Sequence, residues 1–201
     1  METVSDISVF SAVMAGICLS AAAGLRVFIP ILALGLAARF EWLPISEQFM
    51  WMASEPVLVI IGIAALLEAG SYYIPIVDNL LDILATPAAL AGGTVIVSSL
   101  LPEMNATAQW ATAALLGGGS AGVVQGSSVL ARGMSTASTG GLGNPLLSTT
   151  ETGGSLVAVI LALLIPVAFG LFVILMIVLL IVWLFGRVRQ HNTPSEPGRP
   201  S

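Results

Sequence analysis

Long apolar runs separated by short polar connections constrain this chain more than any other feature. Between residues 7 and 38 the only charged side chain is Arg26, and residues 83–101, 111–131 and 155–185 carry no charge at all. At about 1.5 Å per helical residue, 18 or more such residues reach the roughly 30 Å thickness of a bilayer's hydrocarbon core. Water is therefore the wrong solvent for most of the chain, and its composition agrees: 57% of residues are hydrophobic and 8% charged, with a mean hydropathy of +1.01. The expected fold is an all-α polytopic transmembrane bundle of about five spans.

The spans follow from the runs and their punctuation. The first is expected over residues 8–40, tilted or broken near Pro30, because an interior proline lacks the backbone donor and crowds the preceding turn. Arg39 and Glu41 mark its exit, and a 14-residue connection, EWLPISEQFMWMAS, places Trp42 and Trp51 at an interface. The second begins near Pro56 and meets IPIVDNLLD, where Pro75 can open a new helix with Asp78 and Asp82 on one face. A third covers residues 83–101 and a fourth residues 111–131, whose GGGSAG string suits close helix packing. Residues 132–154 read as an ordered polar loop or a segment lining a cavity. The 31 residues 155–185 allow one bent helix or two short ones, Pro166 supplying the break; one bent helix is the preferred reading. Residues 1–186 then form a single transmembrane domain and residues 187–201 a disordered tail. Arg187 and Arg189 directly after the last span predict a cytoplasmic C-terminus.

Laid over itself at an offset of 98, the chain matches Ala23/Ala121, Gly24/Gly122, Gly35/Gly133, Leu58/Leu156, Val59/Val157 and Ala64/Ala162. Halves over residues 8–84 and 106–182, joined by the span at 83–101, would run in opposite directions. Inverted repeats with discontinuous helices and a midplane site are a recurring plan of secondary transporters.

Arg26 lies about 17 residues, or roughly 25 Å, into its helix, too deep to reach the outer surface freely. A cation at that depth costs a few kcal/mol at least and needs a partner or water. Glu68, at a comparable depth in the next span, is the expected partner, with Asp78 and Asp82 next. Arg132, Asn144, Ser148 and Glu151 add polar groups in the second half. These eight residues are the candidates for a substrate or ion pathway, and Pro30, Pro75 and Pro166 for helix breaks. The competing reading is a buried Arg/carboxylate pair that fixes helix register without turnover.

Other functions fare less well. Eleven acids stand against six arginines and no lysine, a balance that argues against nucleic acid as a partner. The single histidine, His191, belongs to the polar tail, and Cys18 is the only cysteine, so a histidine dyad or a cysteine metal cluster is not expected. No metal, cofactor or enzymatic activity is expected; a Mg-dependent membrane transferase using Asp78 and Asp82 is a minor alternative. The expected partners are the lipid bilayer, a small solute or ion and a second copy of the chain.

The strings AGLRVFIP and LGLAARF, then EAGSYYIPIVDNLLD and TPAALAG, and later ARGMSTASTGG with NPLLSTTE resemble a bacterial membrane-protein family catalogued only as a domain of unknown function. The resemblance covers about residues 10–185. The recurring positions of that family map here onto Arg26, Pro75, Asp78, Arg132, Asn144, Pro145 and Ser148. The chain departs from it at Thr150-Glu151-Thr152, where relatives tend to have an acidic pair, and before TPAALAG, where relatives often carry an arginine. The resemblance implies a bacterial cytoplasmic membrane location and supplies no substrate.

Overall fold

The computed structural model describes residues 2–71 and 75–191, with side chains over residues 9–70 and 84–183. Among the described residues every regular element is helical. The order is α1 (Glu2–Ala23), α2 (Phe28–Arg39), a 3₁₀ turn (Glu47–Ala53), α3 (Glu55–Ser71), α4 (Pro75–Leu100), α5 (Ala106–Ala113), a π turn (Ala114–Gly118), α6 (Gly119–Thr139), α7 (Asn144–Leu164) and α8 (Pro166–His191).

Helix α1 is the centre of the bundle, packed by α4, α6, α7 and α8. Its run from Met14 to Gly24 is buried on every side, as its alanines, glycines, serine and cysteine permit. Cys18 is a packed member of this core, its thiol 3.9 Å from the Pro166 carbonyl. The outward faces are apolar instead: Val59, Ile60, Ile63, Leu66 and Leu67 on α3, Leu156, Val157, Ile160 and Leu164 on α7, and Leu171, Phe172, Leu175, Met176, Leu179 and Trp183 on α8 are exposed. Buried in their place are Ser20, Arg26, Glu68, Gln109, Gln125, Ser128, Arg132, Ser148, Glu151 and Ser155. An apolar shell around an apolar core that also buries these polar and charged side chains suits a lipid surround.

Helices α7 and, from Pro166 to Trp183, α8 are long and apolar enough to cross a membrane; a third crossing is counted if the 3₁₀ turn and α3, bent by 64°, act as one span. Among the described side chains, Val9–Ala23 of α1, Phe28–Arg39 of α2 and Leu84–Leu100 of α4 are apolar as well. Among the described residues two or three qualifying spans are counted where about five were expected.

The first break falls at residues 24–27, not at Pro30. Pro30 is the third residue of α2, a position whose N–H has no intrahelical acceptor to lose. Gly24 opens the break where the chain presses against α6: a Cβ there would lie 2.4 Å from the Ala121 carbonyl oxygen, so only glycine fits. Residues 155–185 are not one bent helix. Ile165 leaves helical geometry at φ −137°, ψ 56°, as a residue before proline tends to, and Pro166 opens α8. Of the polar residues 132–154 only 140–143 form a turn: α6 continues to Thr139, Gly140 closes it at φ 64°, and α7 starts at Asn144 with Pro145 in its first turn. Pro75 does open a helix, which merges PIVDNLLD with the expected third span and contains Pro87. α8 reaches His191, five residues into the expected tail.

The GGGSAG string packs helices, as expected. Gly117 rests so closely on Gly93 of α4 that a Cβ on either would lie 2.1 Å or 2.6 Å from the other's carbonyl oxygen. The offset of 98 is not matched in helix continuity, since the break at residues 24–27 falls over residues 122–125 inside α6.

Candidate functional site

The break between α1 and α2 lies against α6 and α7, and there the buried charges meet. Breaking an apolar helix leaves backbone donors at the start of α2. Glu68 of α3 takes two of them, its Oε1 accepting from Val27 N–H at 2.8 Å and its Oε2 from Phe28 N–H at 3.0 Å. A carboxylate on a helix N-terminus satisfies orphan donors and complements the helix dipole. Glu68 also feels the charge of Arg26.

Arg26, 1% exposed, reaches α7. Its Nε donates to Thr152 Oγ1 at 2.9 Å, and its Nη2 donates to the Ser148 carbonyl at 2.9 Å and to Ser148 Oγ at 3.1 Å. The same Nη2 lies 3.6 Å from Glu151 Oε2. Arg132 approaches from α6: Nη2 donates to Glu151 Oε2 and, at 3.1 Å, to Ser148 Oγ, while Nε donates to Glu151 Oε1 at 3.3 Å. Ser128, one turn before Arg132, donates its hydroxyl to Glu151 Oε1. Ser155 Oγ, one turn beyond Glu151, donates to the Ala22 carbonyl at 3.3 Å and ties α7 to the end of α1.

Ser148 is thus the shared acceptor of two guanidiniums, and Glu151 their shared counter-ion. Arg26, Arg132 and Ser148, up to 122 positions apart in the chain, come within hydrogen-bond reach. Within this cluster Arg26 has an ion-pair contact with Glu151, and Glu68 also accepts from the α2 backbone. Asn144 stands apart at the start of α7, where its Nδ2 donates to Thr136 Oγ1 at 3.3 Å. The side chains of Asp78 and Asp82 lie outside the described residues. No group of three or more metal-binding side chains occurs among those described.

Ser128, Thr152 and Ser155 escaped the sequence reading, although a signal existed. Gln125, Ser128 and Arg132 recur at i, i+3 and i+7, as do Ser148, Glu151 and Ser155. Each set lines one face of a helix. Reading residues 132–154 as a loop hid the second stripe.

A helical bundle with an apolar exterior, membrane-length helices and a buried ion cluster at a helix break is a membrane protein by class. The model of DUF4126, a domain of unknown function, matches residues 13–186, and the chain belongs to that family. No curated protein and no solved structure shows detectable similarity to it.

Proposed function

We propose that this protein carries a small solute or ion across a bacterial cytoplasmic membrane, with Arg26, Arg132, Ser148 and Glu151 as the site and the C-terminus in the cytoplasm. One observation carries the reading: an apolar helix is interrupted beside a buried charge cluster, and a buried carboxylate occupies the freed backbone donors. Irregular backbone at membrane depth is tolerated where protein or a cavity surrounds it, and transporters build their sites from such interrupted helices. Two arginines in a lipid-facing protein carry a standing cost, which a functional site explains better than packing, since apolar side chains pack as well. No enzymatic role is assigned.

A second reading is favoured by the closure of the network. Ser128, Ser148, Thr152 and Glu151 all find partners within the protein, as a cluster that only fixes helix register would require. Reconstitution into liposomes separates the two. The transport reading expects flux of at least one ion or metabolite from a broad panel, lost in Arg132→Gln that remains monodisperse. Absence of flux across the panel, with helix content and stability intact, leaves the register-fixing role in its place.

A further inference from the structure

The charge cluster lies near one end of the α6–α7 hairpin. Arg132 stands seven residues before the last residue of α6 and Glu151 seven residues after the first of α7, so about 10 Å of helix separates each from the turn at residues 140–143. Over that distance the inner faces stay polar. Ser135 follows Arg132 by three positions and Asn144 precedes Ser148 by four, which keeps all four on the faces that meet in the cluster. Asn144 crosses the seam through its Nδ2 to Thr136, yet its Oδ1 and the Ser135 Oγ are buried with no hydrogen-bond partner in the protein. Buried polar atoms without a protein partner are ordinarily met by water. The outer faces change at the same level. Thr136, Ser138 and Thr139 on α6 and Thr149 and Thr150 on α7 are exposed near the turn, whereas farther from it the exposed residues are Val129 and Leu130 on α6 and Leu156, Val157 and Ile160 on α7. Met134, Leu142 and Leu146 are exposed among the hydroxyls, a mixture that suits the interfacial zone of a bilayer and not its hydrocarbon.

We infer that this end of the seam is a hydrated mouth, through which a water-borne, hydrogen-bonding solute reaches Arg132 and Ser148 from one side of the membrane. Hydroxyl and amide groups line the approach, and at its floor Ser148 holds both guanidiniums. With α7 and α8 each crossing once, the mouth opens on the side where α8 ends, which is the cytoplasmic side in the transport reading. The inference names the substrate class for that reading, hydrophilic and not lipid-borne, and rests on it for its purpose, while access of water can be measured without flux.

The test places single cysteines in the full chain, in a Cys18→Ser background reconstituted into phosphatidylcholine liposomes, and follows their reaction with the membrane-impermeant reagent methanethiosulfonate ethyltrimethylammonium. Ser135→Cys and Asn144→Cys should react within about tenfold of the rate of Leu142→Cys in the exposed turn, because water both carries the reagent and ionises the thiol. Ser155→Cys, fully buried one turn beyond Glu151, should be at least about a hundredfold slower. Both seam cysteines should react from the same side as Ser201→Cys. Ser135→Cys changes one atom of the side chain, so it carries the test should Asn144→Cys lose its bond to Thr136 and fail to fold. Seam cysteines as slow as Ser155→Cys while Leu142→Cys reacts, or reaction only from the side opposite Ser201→Cys, would each overturn the proposal. Flux of a solute past an unreactive seam sinks this inference alone; a reactive seam without flux of anything sinks the transport reading alone.

Discussion

Arg132 and Glu151 are hydrogen-bonded through two pairs of atoms, Arg26 lies against the same carboxylate, and Ser148 binds both arginines. Removing one partner of a buried pair leaves the other uncompensated, at a cost of about 3–5 kcal/mol, whereas removing both takes the problem away. Arg132→Met and Glu151→Met should each lower the melting temperature in detergent, and the double variant should recover much of the loss. The compensation should be incomplete, because Arg26 also loses a counter-ion when Glu151 goes. A thermal-melt double-mutant cycle checks this, and strictly additive losses would remove the pairing from the account.

At the scale of elements, close approach of backbones governs the bundle. α4 and the π turn touch at Gly93 and Gly117, and α6 lies on the break at Gly24, all without room for a methyl group. Gly117→Ala should cost about 1–3 kcal/mol, the usual range for overpacking, because its Cβ would meet carbonyl backbone that cannot rotate aside. Gly119, two residues on, has nothing within 4 Å of its Cβ position. Gly119→Ala should be neutral or slightly stabilising, since alanine is the better helix former. Melting temperatures of the two variants, compared side by side, test the contact, and equal effects would show that helix propensity rather than packing governs this segment.

For the whole molecule, the apolar outer shell makes a labelling prediction. In a Cys18→Ser background, a cysteine at Leu142, in the exposed turn between α6 and α7, should react readily with a membrane-impermeant maleimide in intact proteoliposomes or after their permeabilisation. A cysteine at Ile160, outward on α7, should stay unreactive under both conditions, because it is the thiolate that attacks a maleimide and lipid supplies neither water nor ionisation. Rapid labelling at Ile160 would place that face of α7 in water and contradict the membrane assignment of the helix.

Composition and run length alone determined that the chain is all-helical and membrane-adapted, since no other secondary structure satisfies backbone groups in lipid within a single apolar segment of this kind. They also made Arg26 conspicuous, as a charge is costly wherever such a run carries it. The residues meant to end helices were less legible. Pro75 and Pro166 open helices because proline lacks a donor, a property of the residue itself, while Pro30 lies in the first turn of a helix whose free donors are met by Glu68 from another element. Nor could the chain order say that Arg26 meets Ser148, Thr152 and Glu151 while Glu68 goes to the α2 backbone. Depth along a helix reports height in the bundle, but which neighbour faces a side chain depends on helix rotation and adjacency. Those are fixed by contacts such as Gly24 on α6 and Ser155 on Ala22, which exist only once distant segments have packed.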